Sequence, residues 1–204
     1  MIYDPEKHRR RSIRLPGYDY SLPGAYFIRT REPLLGKITN GVMETNPFGQ
    51  VVRETWDQLP THYGHIRLDC FAVMPNHVHG TIFVVDENTV EAGLKPVPAD
   101  NAMERHAISE IIRGFKTFSS RRLNQLRRTP GQSVWQRNYF EHVVRDESAL
   151  NRIRDYVLSN PSNWATDREN PHRQGRDDFD QWLAQQGKGG FETRPYGNHG
   201  SFRE

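Results

Sequence analysis

Covalent cross-linking is not available to this chain, which has one cysteine, Cys70, in 204 residues. Burial and hydrogen bonds alone must hold the fold, and a reducing compartment is the default for such a composition. Cys70 lies in the mostly apolar run Ile66 to Met74 and reads as a packed thiol rather than a nucleophile. No window of eighteen consecutive apolar residues occurs, so no membrane association through a spanning helix is expected. The basic stretch Lys7 to Arg14 lacks the apolar segment of a secretory signal. Hydrophobic residues make up only 35% of the chain. That suits one domain with part of the chain outside its core. By elimination the protein is expected in the cytoplasm.

Acids are missing from two stretches where bases are not. Lys7, Arg9, Arg10, Arg11 and Arg14 form one; Arg113, Lys116, Arg121, Arg122, Arg127 and Arg128 form the other. A solvated helix face usually carries both signs. A single sign attracts phosphate backbones by counterion release. Nucleic acid is therefore the expected partner, which adds association with the nucleoid. Arg9, Arg10, Arg11, Arg14, Arg113, Lys116, Arg121 and Arg122 are the candidate contacts. Arg113 and Lys116, close to one helical turn apart, are the leading choice for phosphate oxygens.

The order of elements follows from periodicity and turn chemistry. Residues 1–20 read as a basic arm that Pro16, Gly17, Pro23 and Gly24 punctuate. Ala25 to Ile28 reads as a strand. Leu34 to Ile38 and Val42 to Glu44 flank Thr39-Asn40-Gly41, a hairpin signal because Asn and Gly tolerate positive φ. Asn46-Pro47 opens a helix, with Val51, Val52, Thr55, Trp56 and Leu59 at helical spacing before Pro60 stops it. Ile66 to Met74 and His77 to Val85 are strands joined by Pro75-Asn76. Residues 86–105 read as an inserted loop. Ile108, Ile111, Ile112, Phe115 and Phe118 predict an amphipathic helix running to Arg128. Val134 to Val144 is strand-like. Asp146 starts a last helix with Leu150, Ile153 and Val157 on its buried stripe, and Pro161 closes it. Residues 21–165 thus form one domain, and 166–204 a polar tail, partly disordered, in which Phe179, Trp182 and Leu183 could make a short docking helix. Mixed rather than alternating strands and helices predict an α+β fold, an antiparallel sheet of ferredoxin-like character with helices packed on it.

Chemistry concentrates in two places. In Met74-Pro75-Asn76-His77-Val78-His79-Gly80-Thr81, strand alternation puts His77 and His79 on one side, roughly 7 Å apart at Cα. Val78, Ile82 and Val84 share the opposite, core-facing side. Two imidazoles so placed can close on one divalent ion, although a lone His-x-His is a weak signal and more often just a pair of exposed residues. Gly80 is expected to leave room beside the histidines for a backbone or phosphate. In Asp155-Tyr156-Val157-Leu158-Ser159-Asn160, Tyr156 and Asn160 are four apart on a helix and share a face, about 40° apart in azimuth. A tyrosine hydroxyl could then sit beside a metal held by His77, His79 and the Asn160 oxygen. Tyrosine is a poor nucleophile at its ordinary pKa near 10 and needs a phosphate polarised by such an ion. Imidazoles and an amide without thiolate suit Mg²⁺ or Mn²⁺ better than structural zinc. The plainer alternative makes Tyr156 a half-buried helix tyrosine and Asn160 a helix C-terminal residue before Pro161. Tyr139 is a rival nucleophile, but it has no amide or acid one helical turn away. Trp135 and Tyr139 could stack on unpaired bases, with core packing the more ordinary role for Trp135. His106 and His142 read as surface residues.

Taken together, Met74 to Gly80 resembles the HUH motif of single-tyrosine transposases, and Tyr156-Val157-Leu158-Ser159-Asn160 resembles their nucleophile helix. Tyr18 beside Gly17, Ile111 to Ser120, and Trp135-Gln136-Arg137-Asn138-Tyr139-Phe140-Glu141-His142 resemble REP-associated tyrosine transposases in particular. The resemblance covers about residues 12–164. It implies an HUH endonuclease fold and a single-strand DNA endonuclease and strand transferase. Its substrates would be palindromic, REP-like hairpins, and a 5′-phosphotyrosine its intermediate. It implies Tyr156 as nucleophile and His77, His79 and Asn160 as ligands to Mg²⁺ or Mn²⁺. It allows a monomer or a homodimer with swapped helices. Asn160 stands where many relatives carry Gln, and the 86–105 insertion separates the motifs more than in compact members.

Two other functions compete. One is a DNA-hairpin binding protein without catalysis, acting in regulation; nothing in pure binding calls for His77, His79, Tyr156 and Asn160 together. The other is a metallophosphodiesterase using water, which would want acidic ligands near His77, where Asp86 is the only close candidate.

Overall fold

The computed structural model describes residues 24–29, 33–85, 106–137, 139–144, 146–175, 177–179 and 181–182. The basic arm with Arg9, Arg10, Arg11 and Arg14, the 86–105 insertion, Leu183 and residues 183–204 lie outside the described residues. No helix among the described residues is long and apolar enough to cross a membrane.

Strand β1 (Gly24–Arg29) is followed by a hairpin of β2 (Gly36–Thr39) and β3 (Val42–Thr45). Asn40 and Gly41 take φ of 51° and 76°, the pair of positive values a two-residue turn of this kind needs. Helix α1 (Pro47–Asp57) starts where Asn46 accepts hydrogen bonds from the Phe48 and Gly49 amides at 3.0 Å, with Pro47 at its first position. Pro60 does not end the helical run outright. A short helix α2 (Leu59–His62) continues it, because proline is tolerated in a first turn. Strands β4 (Ile66–Val73) and β5 (His77–Val84) follow, then α3 (Ile108–Leu126), β6 (Phe140–Val143) and α4 (Glu147–Ser159). Only Phe140–Val143 of the strand-like segment from Val134 enters the sheet. Val134 and Trp135 are buried instead, and the Trp135 indole N–H donates to Ser119 Oγ at 2.9 Å.

The main sheet is antiparallel, in the order β4-β5-β1-β6. Leaving out the β2–β3 hairpin and short α2, the chain runs strand, helix, strand, strand, helix, strand, the ferredoxin-like α+β topology the patterning predicts. The strand β5 is central, paired to β4 on one side and to β1 on the other. Its even-numbered residues Val78 and Ile82 join the main core with Val52 and Trp56 of α1 and Ile108, Ile111, Ile112 and Phe115 of α3. The other face takes α4, through Ile153 and Val157 against Ala72. In β4 a register shift between Leu68 and Phe71 changes the phase of alternation. Leu68 and Phe71 both pack against the main core, while Cys70 and Ala72 meet the α4 side. Asp69, at the shift, grips α4 through a two-point ion pair to Arg154 at 2.8 and 2.9 Å.

Gly80 corrects one expectation. It shares the core face with Val78 and Ile82, so it leaves no space beside the histidines. A Cβ there would lie 2.4 Å from Trp56 Cη2 and 3.1 Å from Phe71 Cδ2. The Trp56 ring, stacked on Phe71 at 4.5 Å, occupies the position a side chain would need. Gly80→Ala should overpack this contact and destabilise the fold by about 1–3 kcal/mol, read as a lower midpoint in urea unfolding. An unchanged midpoint would show that the Trp56 ring is free to withdraw.

Candidate active site

Alternation along β5 delivers His77, His79 and Thr81 to the α4 face, and all three are buried. The tautomer of His77 follows from a chain of donors. Asn76 Nδ2 donates to the Glu169 carbonyl at 2.8 Å, so Asn76 Oδ1 is the end that faces His77 Nδ1 at 2.7 Å. An amide oxygen can only accept, so His77 carries a proton on Nδ1, and in the neutral ring the lone pair is then on Nε2. His79 Nε2 lies 2.9 Å from His77 Nε2. Burial, reinforced by the nearby Arg168 charge, lowers the His79 pKa to about 3. A neutral imidazole is the form that binds metal.

Helix α4 brings up the second half. Asp146 caps it, accepting from the Ala149 amide at 2.8 Å, and Asn160 is its C-terminal cap. The Tyr156 ring stands edge-on to His79, centroids 5.2 Å apart. Asn160, one turn on, is buried to 1% exposure. Its Nδ2 donates to Asp167 Oδ2 at 2.9 Å, while its Oδ1 has no hydrogen-bond partner among the described residues. A buried acceptor left unpaired costs on the order of 1–3 kcal/mol, so it marks a place built for something else.

Asp167 is the residue that patterning missed. It lies past the expected domain limit at 165, yet it is buried, as is Glu169. Its Oδ2 is 3.8 Å from His77 Nε2, and burial raises its pKa to about 6. No periodicity marks it, because it sits in a run of turns after α4. Phe179, which patterning assigns to a short docking helix, stacks on the Tyr156 ring at 3.7 Å, with Trp182 beside it.

The donor set fits a divalent cation. His77, His79 and Asp167 offer ligand atoms within 4.8 Å of one another, and Asn160 adjoins that cluster through the bond from its Nδ2 to Asp167. Metal–nitrogen bonds of about 2.1 Å at a right angle place two nitrogens about 3 Å apart, close to the observed Nε2 separation. His77, His79, Asn160 and Tyr156 are thus brought together in one place.

The basic residues of α3 are placed elsewhere. A cleft of about 1340 Å³ runs between α3 and residues 130–137, lined by Arg113, Lys116, Arg121, Arg128 and Arg137 and by no acidic residue. None of the residues around His77 lines it. The Lys116 ammonium donates to the Gln136 carbonyl at 3.0 Å and lies over the Tyr139 ring. Arg122 turns away from the cleft, to Glu54 and Thr55 of α1.

An α+β protein with a ferredoxin-like sheet and a buried histidine–carboxylate cluster facing a tyrosine is the class that fold and site define. No protein-family model matches the chain. A Haemophilus influenzae protein described only as uncharacterized is 34% identical over 176 residues, covering 81% of this chain and 95% of its own length. The chain belongs to the family of that protein. Two solved structures are also similar. A REP-associated tyrosine transposase bound to a REP hairpin is 16% identical with a TM-score of 0.49, over 76% of this chain and 74% of that one. A candidate transposase from Deinococcus radiodurans is 20% identical with a TM-score of 0.41, over 71% and 95%. At those values neither carries weight for function, which has to come from the side chains.

Burial lowers the Lys116 pKa from its ordinary 10.5 to about 8. The ¹³C-methyl signal of reductively methylated Lys116, identified by its loss in Lys116→Met, should therefore titrate near 8. A midpoint at the ordinary lysine value would mean that the amine is hydrated.

Proposed function

We propose that this chain is a metal-dependent tyrosine transposase: a single-strand DNA endonuclease and strand transferase acting on palindromic, REP-like hairpin DNA. The observation that supports the reading is the pairing of His77 and His79 beside the Tyr156 ring, with Asn160 tied to them through Asp167 and carrying a buried oxygen that has no hydrogen-bond partner among the described residues. Pure binding of DNA has no use for that arrangement. His77 Nε2, His79 Nε2 and Asn160 Oδ1 would hold Mg²⁺ or Mn²⁺, with the Asp167 carboxylate alongside. When bound, such an ion supplies Lewis acidity to a phosphate oxygen of the substrate.

The residues of the chain do the rest. Helix α4 presents the Tyr156 hydroxyl, which gives up its proton and attacks the phosphorus. The bond from phosphorus to the 3′ oxygen breaks, and that oxygen leaves as a hydroxyl after taking up a proton. The 5′ phosphate stays on Tyr156. Attack on this linkage by a 3′-hydroxyl rejoins a strand, so no nucleotide is hydrolysed. His79, held neutral by burial, adds no charge of its own to the site. Arg113, Lys116 and Arg121 in the basic cleft would take the DNA backbone, with Arg9, Arg10, Arg11 and Arg14 of the N-terminal arm as further contacts. Arg122, already engaged by Glu54, would contribute less.

With Mn²⁺ and a labelled single-stranded hairpin oligonucleotide, a covalent protein–DNA adduct should appear on a denaturing gel. It should vanish in Tyr156→Phe and fall to background in His77→Ala. Binding without any adduct would instead make the chain a hairpin-binding protein. Cleavage that survives Tyr156→Phe would point to attack by water.

A further inference from the structure

A carboxamide has two ends of similar shape and opposite chemistry, and only the oxygen can bind a cation. Something must therefore choose which end of Asn160 faces the histidines. The neighbouring carboxylate of Asp167 does so by elimination. An ionised carboxylate has no hydrogen to give, so the end that meets Asp167 Oδ2 at 2.9 Å has to be Nδ2. That leaves Oδ1, the end able to bind a cation, buried and without a hydrogen-bond partner among the described residues. We propose that Asp167 is a positioning residue, which holds the Asn160 side chain with its oxygen turned toward the metal site. The inference rests on the metal-dependent reading above and names the group that makes its third ligand competent.

Asp167 is itself well anchored. Its Oδ1 accepts the Glu169 amide N–H at 2.6 Å, and the residue is only 2% exposed. The Glu169 carbonyl in turn takes Asn76 Nδ2, and Asn76 Oδ1 takes the His77 Nδ1 proton. One run of turns, residues 161–170, therefore sets both the orientation of the amide and the tautomer of His77. Such outer contacts fix ligand geometry, and their loss typically weakens metal binding about 10- to 100-fold.

Asp167→Asn tests this with little change of shape. Its one oxygen is claimed by the Glu169 amide, so its NH₂ faces Asn160 and draws the Asn160 oxygen round, away from the site. The full chain should be titrated with Mn²⁺ alone by calorimetry, for wild type, Asp167→Asn, Asn160→Ala and the double variant, after checking that each unfolds cooperatively on heating. Asp167→Asn should bind Mn²⁺ about 10- to 100-fold more weakly. The double variant should be no weaker than Asn160→Ala, because the effect runs through that side chain. A double variant weaker by a further factor would make Asp167 an independent ligand and overturn the proposal, as would wild-type affinity in Asp167→Asn. Should Asp167→Asn fail to fold, the metal-free wild type still decides. Its Asn160 side-chain NH₂ signals should be protected from solvent exchange in ¹H–¹⁵N spectra, and unprotected signals would overturn the proposal. Failure of the wild type to bind Mn²⁺ at all would defeat the metal-dependent reading itself, whatever Asp167 does.

Discussion

Everything at this site depends on the two-residue period of one buried strand. β5 lies inside the sheet with partners on both edges, so its side chains have only two directions to take. Val78, Gly80 and Ile82 are claimed by the core under α1 and α3, where Trp56 lies against the bare glycine backbone. That packing leaves His77 and His79 no choice but the opposite face. A slip of one residue in the β4–β5 or β1–β5 pairing would send both imidazoles into the apolar core, at the cost of burying unpaired polar groups. Apolar packing on one side of the sheet is thus what sets the ligand geometry on the other.

The second constraint is satisfaction of polar atoms once they are buried. Helix α4 covers the histidines and brings Tyr156 and Asn160 with it, located by the Asp69–Arg154 pair and by Ile153 and Val157 against Ala72. Covering the site removes water, so each polar group needs a protein partner. Residues 161–170 provide those partners through Asp167 and the backbone of Glu169. Among the described residues, the Asn160 oxygen is left without a hydrogen-bond partner. In an interior where nearly every polar atom is paired, that exception is what separates a site from a merely buried cluster.

Charge is laid out on a different part of the molecule. The acid-free cleft along α3 belongs to the helix that packs on the core face of the sheet, away from the histidines. Two surfaces of different character therefore share one sheet: a buried cluster of imidazole, amide and carboxylate, and an open basic cleft. Lys116 joins the two kinds of physics, since burial lowers its pKa while its ammonium bonds Gln136 and lies over Tyr139.

Much of this could be read from the chain before folding. Period-two alternation paired His77 with His79, period 3.6 paired Tyr156 with Asn160, and the turn chemistry of Asn40-Gly41 and Asn46-Pro47 located the hairpin and the first helix. Those are local facts, fixed by rise, twist and φ preference over a few residues. The role of Gly80 is not legible in the sequence, because nothing local shows which bulky side chain will meet its face of the sheet. The strand-like run from Val134 was shortened because only Phe140–Val143 finds a partner strand. Asp167, Glu169 and Asn76 had no signal of their own: a polar run after a helix looks the same whether it is solvated or folded back over a site. The sequence by itself determined which side chains share a face and what chemistry they carry. Only the tertiary structure decided which faces meet, because that depends on contacts between segments as much as 93 residues apart, chosen by burial and hydrogen-bond satisfaction of the whole chain at once.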